Sequence, residues 1–189
     1  MFLDKVKANR SYRRFYEDVA VTRDQLLQLI NLARLSPSGA NRQSLRYFIS
    51  CDPVQNGKVF SALGWAAYLK EWQGPDAGER PAAYIVMVQD QGYKMVSSID
   101  PGIASQTILL GAVDAGLGGC MIGNINQPLL RQALDISEQY EILLVIAIGK
   151  PKEEIVIEEI EPDGDIKYWR DEKQTHHVPK RKLKDIILN

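Results

Sequence analysis

Two arginines and a serine lie close together near the start of the chain, in the segment NRSYRRF. Arg10, Ser11 and Arg13 bring two guanidinium groups and one hydroxyl into a short span. Guanidinium groups bind phosphate through paired N–H donors, and a serine hydroxyl adds a compact third donor. The segment is therefore a candidate phosphate site, and the alternative is a solvated basic face beside the first helix.

A polar loop, SPSGANRQ, follows a predicted helix and precedes a predicted strand. Its backbone and amide groups could contact a planar ring that forms hydrogen bonds. The alternative is a loop that only ends the helix. The candidate residues in this loop are Pro37, Ser38, Gly39, Asn41 and Gln43.

A glycine-rich segment, GLGGCMIGN, covers residues 116–124. Glycine allows the backbone to approach a ligand closely. A flavin needs an N–H donor near its N5 atom and further donors at its carbonyl oxygens, which backbone amides at glycine can supply. The alternative is a tight turn between a helix and a strand. Near the end of the chain, the basic segment PKRKLKDII could complete the phosphate site, and the alternative is a solvated basic tail.

Several common catalytic motifs are missing from the sequence. It contains no GxGxxG or GxxxxGK[ST] phosphate loop and no GxSxG elbow. Its only histidines, His176 and His177, are adjacent in a polar segment, so we expect no metal site. The sequence therefore lacks the motifs that hydrolytic and metal-assisted mechanisms commonly use. This favours a bound organic cofactor as the source of any chemistry.

Composition indicates one ordinary globular domain covering residues 1–189. The net charge of −1 gives no reason to expect a nucleic-acid or membrane partner. Cys51 and Cys120 form no CxxC pair, no signal peptide is visible, and no apolar stretch approaches the roughly 20 residues that cross a bilayer. We therefore expect a cytoplasmic protein.

The elements that position these segments follow from periodicity and capping. Residues 22–35 predict a helix with a capping box between Thr22 and Gln25, and residues 100–115 predict another with Asp100 as its N-cap. The apolar runs 82–88 and 142–148 predict strands buried on both faces. Further strands are predicted at 45–50 and 120–122, and further helices at 53–63 and 128–134. Strands interleaved with amphipathic helices predict an α+β or α/β fold with helices on both faces of a mixed sheet.

Two segments remain to be placed. Residues 66–78, with Tyr68 and Trp72, fit either a lid over a site or a helix that packs on the core. Beyond residue 151, the segments 155–160 and 166–169 flank the turn PDGD, which predicts a hairpin.

Taken in order, the motifs RSxR, PSGANRQ, ERPAAYIVMV and IDPGIASQTILLGAVDAGLGGCMIG resemble the nitroreductase family of flavoproteins over nearly the whole chain. The resemblance implies an α+β fold with a central mixed, mainly antiparallel sheet flanked by helices, in an intertwined homodimer. The long helix and flavin loop of the family match residues 99–123. The extension from about residue 151 is expected to reach the partner subunit.

The resemblance also implies site residues. Arg10, Ser11, Arg13 and Arg181 would hold the phosphate and ribityl end of FMN. Gly123 would offer its backbone N–H to the flavin N5 atom, with Asn124 beside it. The loop residues, reaching the cofactor from the other subunit, would be Pro37, Ser38, Gly39 and Asn41, with Gln43 near the ring.

The implied activity is NAD(P)H-dependent reduction of nitroaromatic, quinone or similar electrophilic small molecules by a ping-pong mechanism, with no acid or base side chain assigned. The alternatives are a flavin carrier or sensor without turnover, and a specialised reaction such as dehalogenation. The sequence departs from the family pattern at Asn9, where an arginine is common, and at Ser44 and Leu45, where Pro-Trp is common.

Overall fold

A five-stranded sheet forms the centre of the computed structural model, which describes residues 1–93 and 98–188. The strand order is β1-β5-β3-β2, and β4 pairs with the same edge of β5 as β1. All ladders are antiparallel, and one parallel bridge joins Ser11 to Gly119. The strands are β1 (Phe15–Tyr16), β2 (Leu45–Ser50), β3 (Ala83–Asp90), β4 (Gly118–Ile122) and β5 (Tyr140–Pro151).

Helices cover both faces of this sheet. Buried side chains of α2 and α4 pack on one face, and those of α3 and α5 pack on the other. This arrangement confirms the predicted α+β fold with a mixed, mainly antiparallel sheet. The helices are α1 (Phe2–Ala8), α2 (Arg23–Leu35), α3 (Pro53–Ser61), α4 (Asp100–Asp114) and α5 (Gln127–Leu134), and short 3₁₀ turns cover Gly39–Asn41 and Leu183–Asp185.

The central strands β3 and β5 contribute buried apolar side chains to both faces of the sheet. Successive side chains of a strand point to opposite faces of the sheet. In β3, Ile85 and Met87 join the core under α2 and α4, whereas Tyr84 and Val86 join the core under α3 and α5. Both faces must therefore be apolar, which is why this strand appears in the sequence as a continuous hydrophobic run.

The helix starts were predicted with mixed success. Thr22 caps α2, and its side chain accepts the Gln25 backbone N–H at 3.2 Å, which confirms the capping box. The prediction that Asp100 is the N-cap of α4 was wrong, because Asp100 is the first residue of that helix and Ile99 is its N-cap. The buried Asp100 carboxylate instead accepts hydrogen bonds from the loop at Gly39.

A second sheet forms beyond residue 151 from β6 (Ile155–Ile160), β7 (Trp169–Arg170) and β8 (His176–Arg181). The predicted hairpin was wrong: β6 pairs in parallel with β8, and β7 pairs antiparallel with β8. The turn does form, with a hydrogen bond of 2.9 Å from the Gly164 N–H to the Glu161 carbonyl, but the chain then continues and β8 takes the edge of β6.

Residues 66–78 form turns and no helix. Trp72 packs against the core under α3 and α5, and the Tyr68 ring contacts the Tyr168 ring at 4.9 Å between centroids. Within the described ranges, no helix is both long and apolar enough to cross a bilayer.

Candidate active site

The N-terminal segment lies directly against β4. The Tyr12 backbone N–H donates to the Gly119 carbonyl at 3.0 Å, beside the bridge from Ser11. A Cβ atom on Gly118 would lie 2.6 Å from the Tyr12 ring, and one on Gly119 would lie 2.4 Å from the Ala147 carbonyl oxygen. Gly118 is therefore needed for the close approach of the N-terminal segment to the sheet, and Gly119 for the close packing of β4 against β5.

A cleft of about 370 Å³ opens at this junction. The N-terminal segment, α4, β4 and the C-terminal extension all contribute to its walls. Three cationic side chains line it, and no described residue that lines it carries a carboxylate. The lining residues are Asn9, Arg10, Ser11, Arg13, Gln106, Leu109, Met121, Tyr168, His176, Val178 and Lys180.

The side chain of Arg10, which lines this cleft, has one unpaired donor. Its Nη2 atom donates to the Val6 carbonyl at 3.0 Å, which fixes the side chain against α1. Its Nε atom is buried, and within the described chain it has no hydrogen-bond partner. A buried donor without a partner costs free energy, so an acceptor that reached this atom would be bound favourably.

Arg13 is held from several directions. Its backbone N–H donates to Glu153 at 2.9 Å, and its guanidinium lies 4.7 Å from the centre of the Tyr168 ring. One of its terminal nitrogens, Nη1, lies 3.2 Å from the Ser11 carbonyl and 3.3 Å from the Nε2 atom of His176. Burial of His176 lowers the pKa of its imidazole to about 4, so the ring is neutral at pH 7.

Arg14 has a different role from its neighbour. It forms a bidentate ion pair with Glu79, at 2.5 and 2.7 Å, and Lys152 reaches the same carboxylate at 2.9 Å. The hydrogen bond from Arg14 is the main reason why the pKa of Glu79 falls to about 2, and Lys152 adds to it. Arg14 thus anchors the segment to the fold and lies outside the set of residues that line the cleft.

The C-terminal extension contributes alternate residues of β8 to the cleft. His176, Val178 and Lys180 line it, as expected for side chains on one face of a strand. Arg181 is the next residue along and points to the other face, where its guanidinium donates to the Pro162 carbonyl. The structure therefore places Lys180 beside Arg10 and Arg13, and it places Arg181 apart from them.

The loop at residues 37–43 lies elsewhere, against the start of α4. The Ser38 hydroxyl accepts the Gln43 backbone N–H at 3.2 Å, and the Gln43 amide donates to the Asn41 side chain at 3.2 Å. Ala40, Asn41 and Gln43 all have positive φ, at 50°, 53° and 52°, a conformation that costs free energy outside glycine. Pro37, Ser38 and Gln43 line a second cavity of about 150 Å³ that also contacts Asp100.

Gly123 and Asn124 follow β4 and are exposed. A Cβ atom on Gly123 would meet no atom within 4 Å, so its backbone is open to a ligand. The Asn124 side chain lies over Gly64, whose N–H donates to the Asn124 carbonyl at 2.8 Å. A hypothetical Cβ on Gly64 would lie 2.0 Å from the Asn124 amide nitrogen, so the absence of a side chain at Gly64 sets the position of Asn124.

The profile of the Nitroreductase family matches residues 6–150. The chain belongs to the nitroreductase family. The match covers the N-terminal segment, the loop at 37–43 and the glycine-rich segment after α4, which confirms the resemblance found in the motifs.

Individual relatives agree. A Bacillus subtilis (strain 168) protein named "Putative NAD(P)H nitroreductase YodC" is 22% identical over an alignment of 181 residues, and the match covers 78% of this chain and 88% of the relative. The nitroreductase family protein from Streptococcus pneumoniae TIGR4 has a TM-score of 0.70 at 16% identity, with all of both chains covered. An FMN-dependent nitroreductase from Clostridium difficile R20291 has a TM-score of 0.63 at 22% identity, covering 80% of this chain and 88% of that one.

In this nitroreductase family member, α4 separates the two groups of predicted site residues. Arg10, Ser11 and Arg13 lie in the cleft with Gln106 and Leu109 of α4. The loop at 37–43 lies in the second cavity with Asp100 and Ala104 of the same helix. The two groups of predicted site residues therefore lie in two cavities on different sides of α4.

Sequence reasoning named Arg181 rather than Lys180 from the basic segment. It assigned no site role to Tyr168 and His176, which line the cleft, or to Glu153, which accepts the Arg13 backbone N–H. For β8, the sequence offered no signal that separates the two faces, since His176, Val178 and Lys180 alternate with the similarly mixed set His177, Pro179 and Arg181. The described residues contain no group of three or more His, Cys, Asp or Glu side chains arranged to hold a metal ion.

Proposed function

We propose that the protein is an FMN-dependent oxidoreductase that takes electrons from NAD(P)H and reduces electrophilic small molecules such as nitroaromatics and quinones. The observation that carries the proposal is the cleft beside β4, in which Arg10, Arg13 and Lys180 converge around Ser11 with no carboxylate among the described lining residues. The names of the Bacillus and Clostridium relatives support the choice of nicotinamide and FMN.

The residues of the cleft fit the phosphate of FMN. A phosphate monoester carries nearly two negative charges at pH 7 and presents three acceptor oxygens. The cleft offers three cations, a hydroxyl at Ser11 and the buried, unpartnered Nε–H of Arg10. The positive charge and the number of donors in the cleft thus match the negative charge and the acceptor oxygens of a phosphate monoester. Binding of the phosphate would also satisfy a donor that the protein alone leaves unpaired.

Bound FMN would supply the redox chemistry, accepting reducing equivalents from NAD(P)H and delivering them to the acceptor in the same pocket, which implies ping-pong kinetics. The protein supplies orientation and electrostatics. Gly123 would direct its backbone N–H to the flavin N5 atom, with Asn124 beside it. His176 is the one histidine in the described cleft and it is hydrogen-bonded to Arg13, so we assign it no acid or base role.

A homodimer would complete each site. The loop residues Pro37, Ser38, Gly39, Asn41 and Gln43 would then reach the flavin held by the Arg10 cleft of the other subunit. The α4 helix is apolar nearly all round, which is typical of a helix covered on every side. Ile99 at its start is 68% exposed in the single chain, and a second subunit would bury such apolar surface.

The test begins with an absorption spectrum of the purified protein, followed by anaerobic addition of NADH or NADPH. Flavin bands that bleach support the proposal, and bands that do not bleach indicate a carrier or sensor. No bands after incubation with excess FMN would overturn it. The oligomeric state is measured on the same sample by light scattering, and a monomer that still binds FMN tightly would contradict the shared site.

The phosphate assignment is tested with Arg10→Ala and Arg13→Ala. Each is expected to weaken FMN binding by about tenfold or more, because each removes a charge-assisted hydrogen bond to the phosphate. Arg23→Ala is the matched control, since Arg23 is exposed on α2 and lies outside the cleft. Full FMN occupancy of both cleft variants at low FMN concentration would contradict the assignment.

A further inference from the structure

His176 is the most deeply buried polar side chain of the cleft, at 1% exposure. Around it lie Glu153, Arg13, Tyr168 and Arg170, of which Glu153 and Arg170 form a buried ion pair at 2.6 Å. A buried imidazole in such a place needs a reason, since burying polar groups without good partners costs free energy. The proposed binding of FMN, by itself, gives it none.

The hydrogen-bonding state of His176 follows from its neighbour. An arginine side chain can only donate hydrogen bonds, so the Nε2 atom of His176, 3.3 Å from Nη1 of Arg13, must accept. The ring is neutral at pH 7, and its proton is therefore on Nδ1. The Nδ1 atom is buried without a hydrogen-bond partner among the described residues, and the nearest Glu153 oxygen lies 3.9 Å away, too far for a hydrogen bond.

The contacts of Arg13 leave one edge of its guanidinium available. The Ser11 carbonyl and His176 both accept from Nη1. Tyr168 covers one face of the guanidinium. The Nε and Nη2 donors remain, and together they form the planar fork that binds two oxygens of a phosphate.

We propose that His176 is a positioning residue, which holds Nη1 of Arg13 so that the Nε and Nη2 edge faces the cleft and binds the phosphate. His176 thereby sets the preference of the site for a flavin that carries a 5′-phosphate over one that lacks it. This inference rests on the proposed function, because it assumes that a flavin occupies the cleft.

The test compares FMN with riboflavin, which shares the ring and the ribityl chain but lacks the phosphate. Dissociation constants for both are measured by quenching of flavin fluorescence in wild type, His176→Leu, His176→Gln and His177→Leu. Leucine removes the acceptor while filling the buried space, and the glutamine side chain can place an oxygen near the original Nε2 position. His177 is the matched control, because it lies on the opposite face of β8.

We expect wild type to prefer FMN, and His176→Leu to lower that preference about tenfold with little change in riboflavin binding. His176→Gln should restore most of the preference, and His177→Leu should keep it. In an Arg13→Ala background, His176→Leu should have no further effect, since His176 acts through Arg13. Circular dichroism and thermal unfolding are measured for each variant to check that it is folded.

The outcomes separate the two proposals. If wild type binds neither flavin, the proposed function fails. If wild type prefers FMN and His176→Leu has the same preference, or weakens both flavins equally, the positioning role is wrong while the proposed function stands. Failure of His176→Gln to exceed His176→Leu would also overturn the positioning role.

Discussion

The backbone N–H of Gly39 donates to both carboxylate oxygens of Asp100, at 3.0 and 3.1 Å, and joins the candidate flavin loop to the first turn of α4. Asp100 is buried, and its carboxylate lies beside this donor and in the first turn of α4. The loop carries three residues with positive φ, and the Asp100 contact helps to hold that costly conformation.

Replacement of Asp100 should therefore loosen the loop. We expect Asp100→Ala to lower the free energy of unfolding by about 1–3 kcal/mol, because the Gly39 N–H loses its acceptor, and Asp100→Asn to cost less. Urea unfolding measures both. Asp114→Ala, at the exposed end of the same helix, is the control and should change stability by less than about 0.5 kcal/mol. Equal losses for Asp114→Ala and Asp100→Ala would contradict the anchoring role.

A substitution at Gly64 should displace the Asn124 side chain while Asn124 itself is kept. The Cβ of Gly64→Ala would overlap the Asn124 amide, which is exposed and can rotate away, so stability should fall by less than about 1 kcal/mol. If Asn124 contacts the flavin, Gly64→Ala should weaken FMN binding about as much as Asn124→Ala, and the double variant should be no weaker. Gly57→Ala is the control, since its Cβ would meet no atom. Additive losses in the double variant would contradict this coupling.

Glu79 predicts a loss of stability in acid. The pKa of its carboxyl is lowered to about 2, mainly by the Arg14 hydrogen bond, so its contribution is complete above about pH 5 and disappears as the pH falls toward 2. Because the pair is partly exposed, we expect Glu79→Gln to cost about 2 kcal/mol at pH 7 and nothing near pH 2. Urea unfolding across this range measures the difference. Glu71→Gln, at an exposed position, is the control, and a pH-independent effect of Glu79→Gln would contradict the ion pair.

The raised pKa of His177 predicts that stability falls as the pH rises, which is opposite to the pH dependence expected for Glu79. Its ring stacks on Trp169 at 4.0 Å, and its Nδ1 atom lies 2.6 Å from Glu158, whose hydrogen bond is the main reason why the pKa of His177 is raised. The contribution is therefore complete below about pH 6.5 and is lost as the pH rises through the higher pKa of the folded state. Wild type should lose stability between pH 6 and pH 9 relative to His177→Phe, which keeps the stack but cannot titrate. If the free energies of unfolding of wild type and His177→Phe changed in parallel between pH 6 and pH 9, the prediction would be wrong.

Much of the fold could be predicted because its causes are local. The apolar runs that became β3 and β5 had to be strands buried on both faces, and the capping box at Thr22 fixed the start of α2. The pairing of β6 with β8 could not be predicted, because the choice of a strand partner is a long-range event and the turn between residues 161 and 164 forms either way.

The residues of the candidate site likewise fall into two groups, those with a local sequence signal and those that depend on distant contacts. Arg10, Ser11 and Arg13 could be identified because donor types and spacing are visible in a short motif. His176 could not, because its burial depends on Arg13 and Glu153, which lie far from it along the chain. The role of Asp100 was missed for a similar reason: its partner Gly39 is 61 residues away, and the dipeptide Asp-Pro fits both the N-cap and the first helical position.

The cleft is closed by segments from distant parts of the chain, and this has a consequence for biosynthesis. A ribosome translates His176 163 residues after Arg13. The nascent chain can assemble β3, β4 and β5 while Arg13 still lacks its aromatic and imidazole neighbours. If the cleft holds FMN as proposed, tight capture would have to wait until Tyr168, His176 and Lys180 have emerged from the exit tunnel, and a product that stops before them would remain colourless.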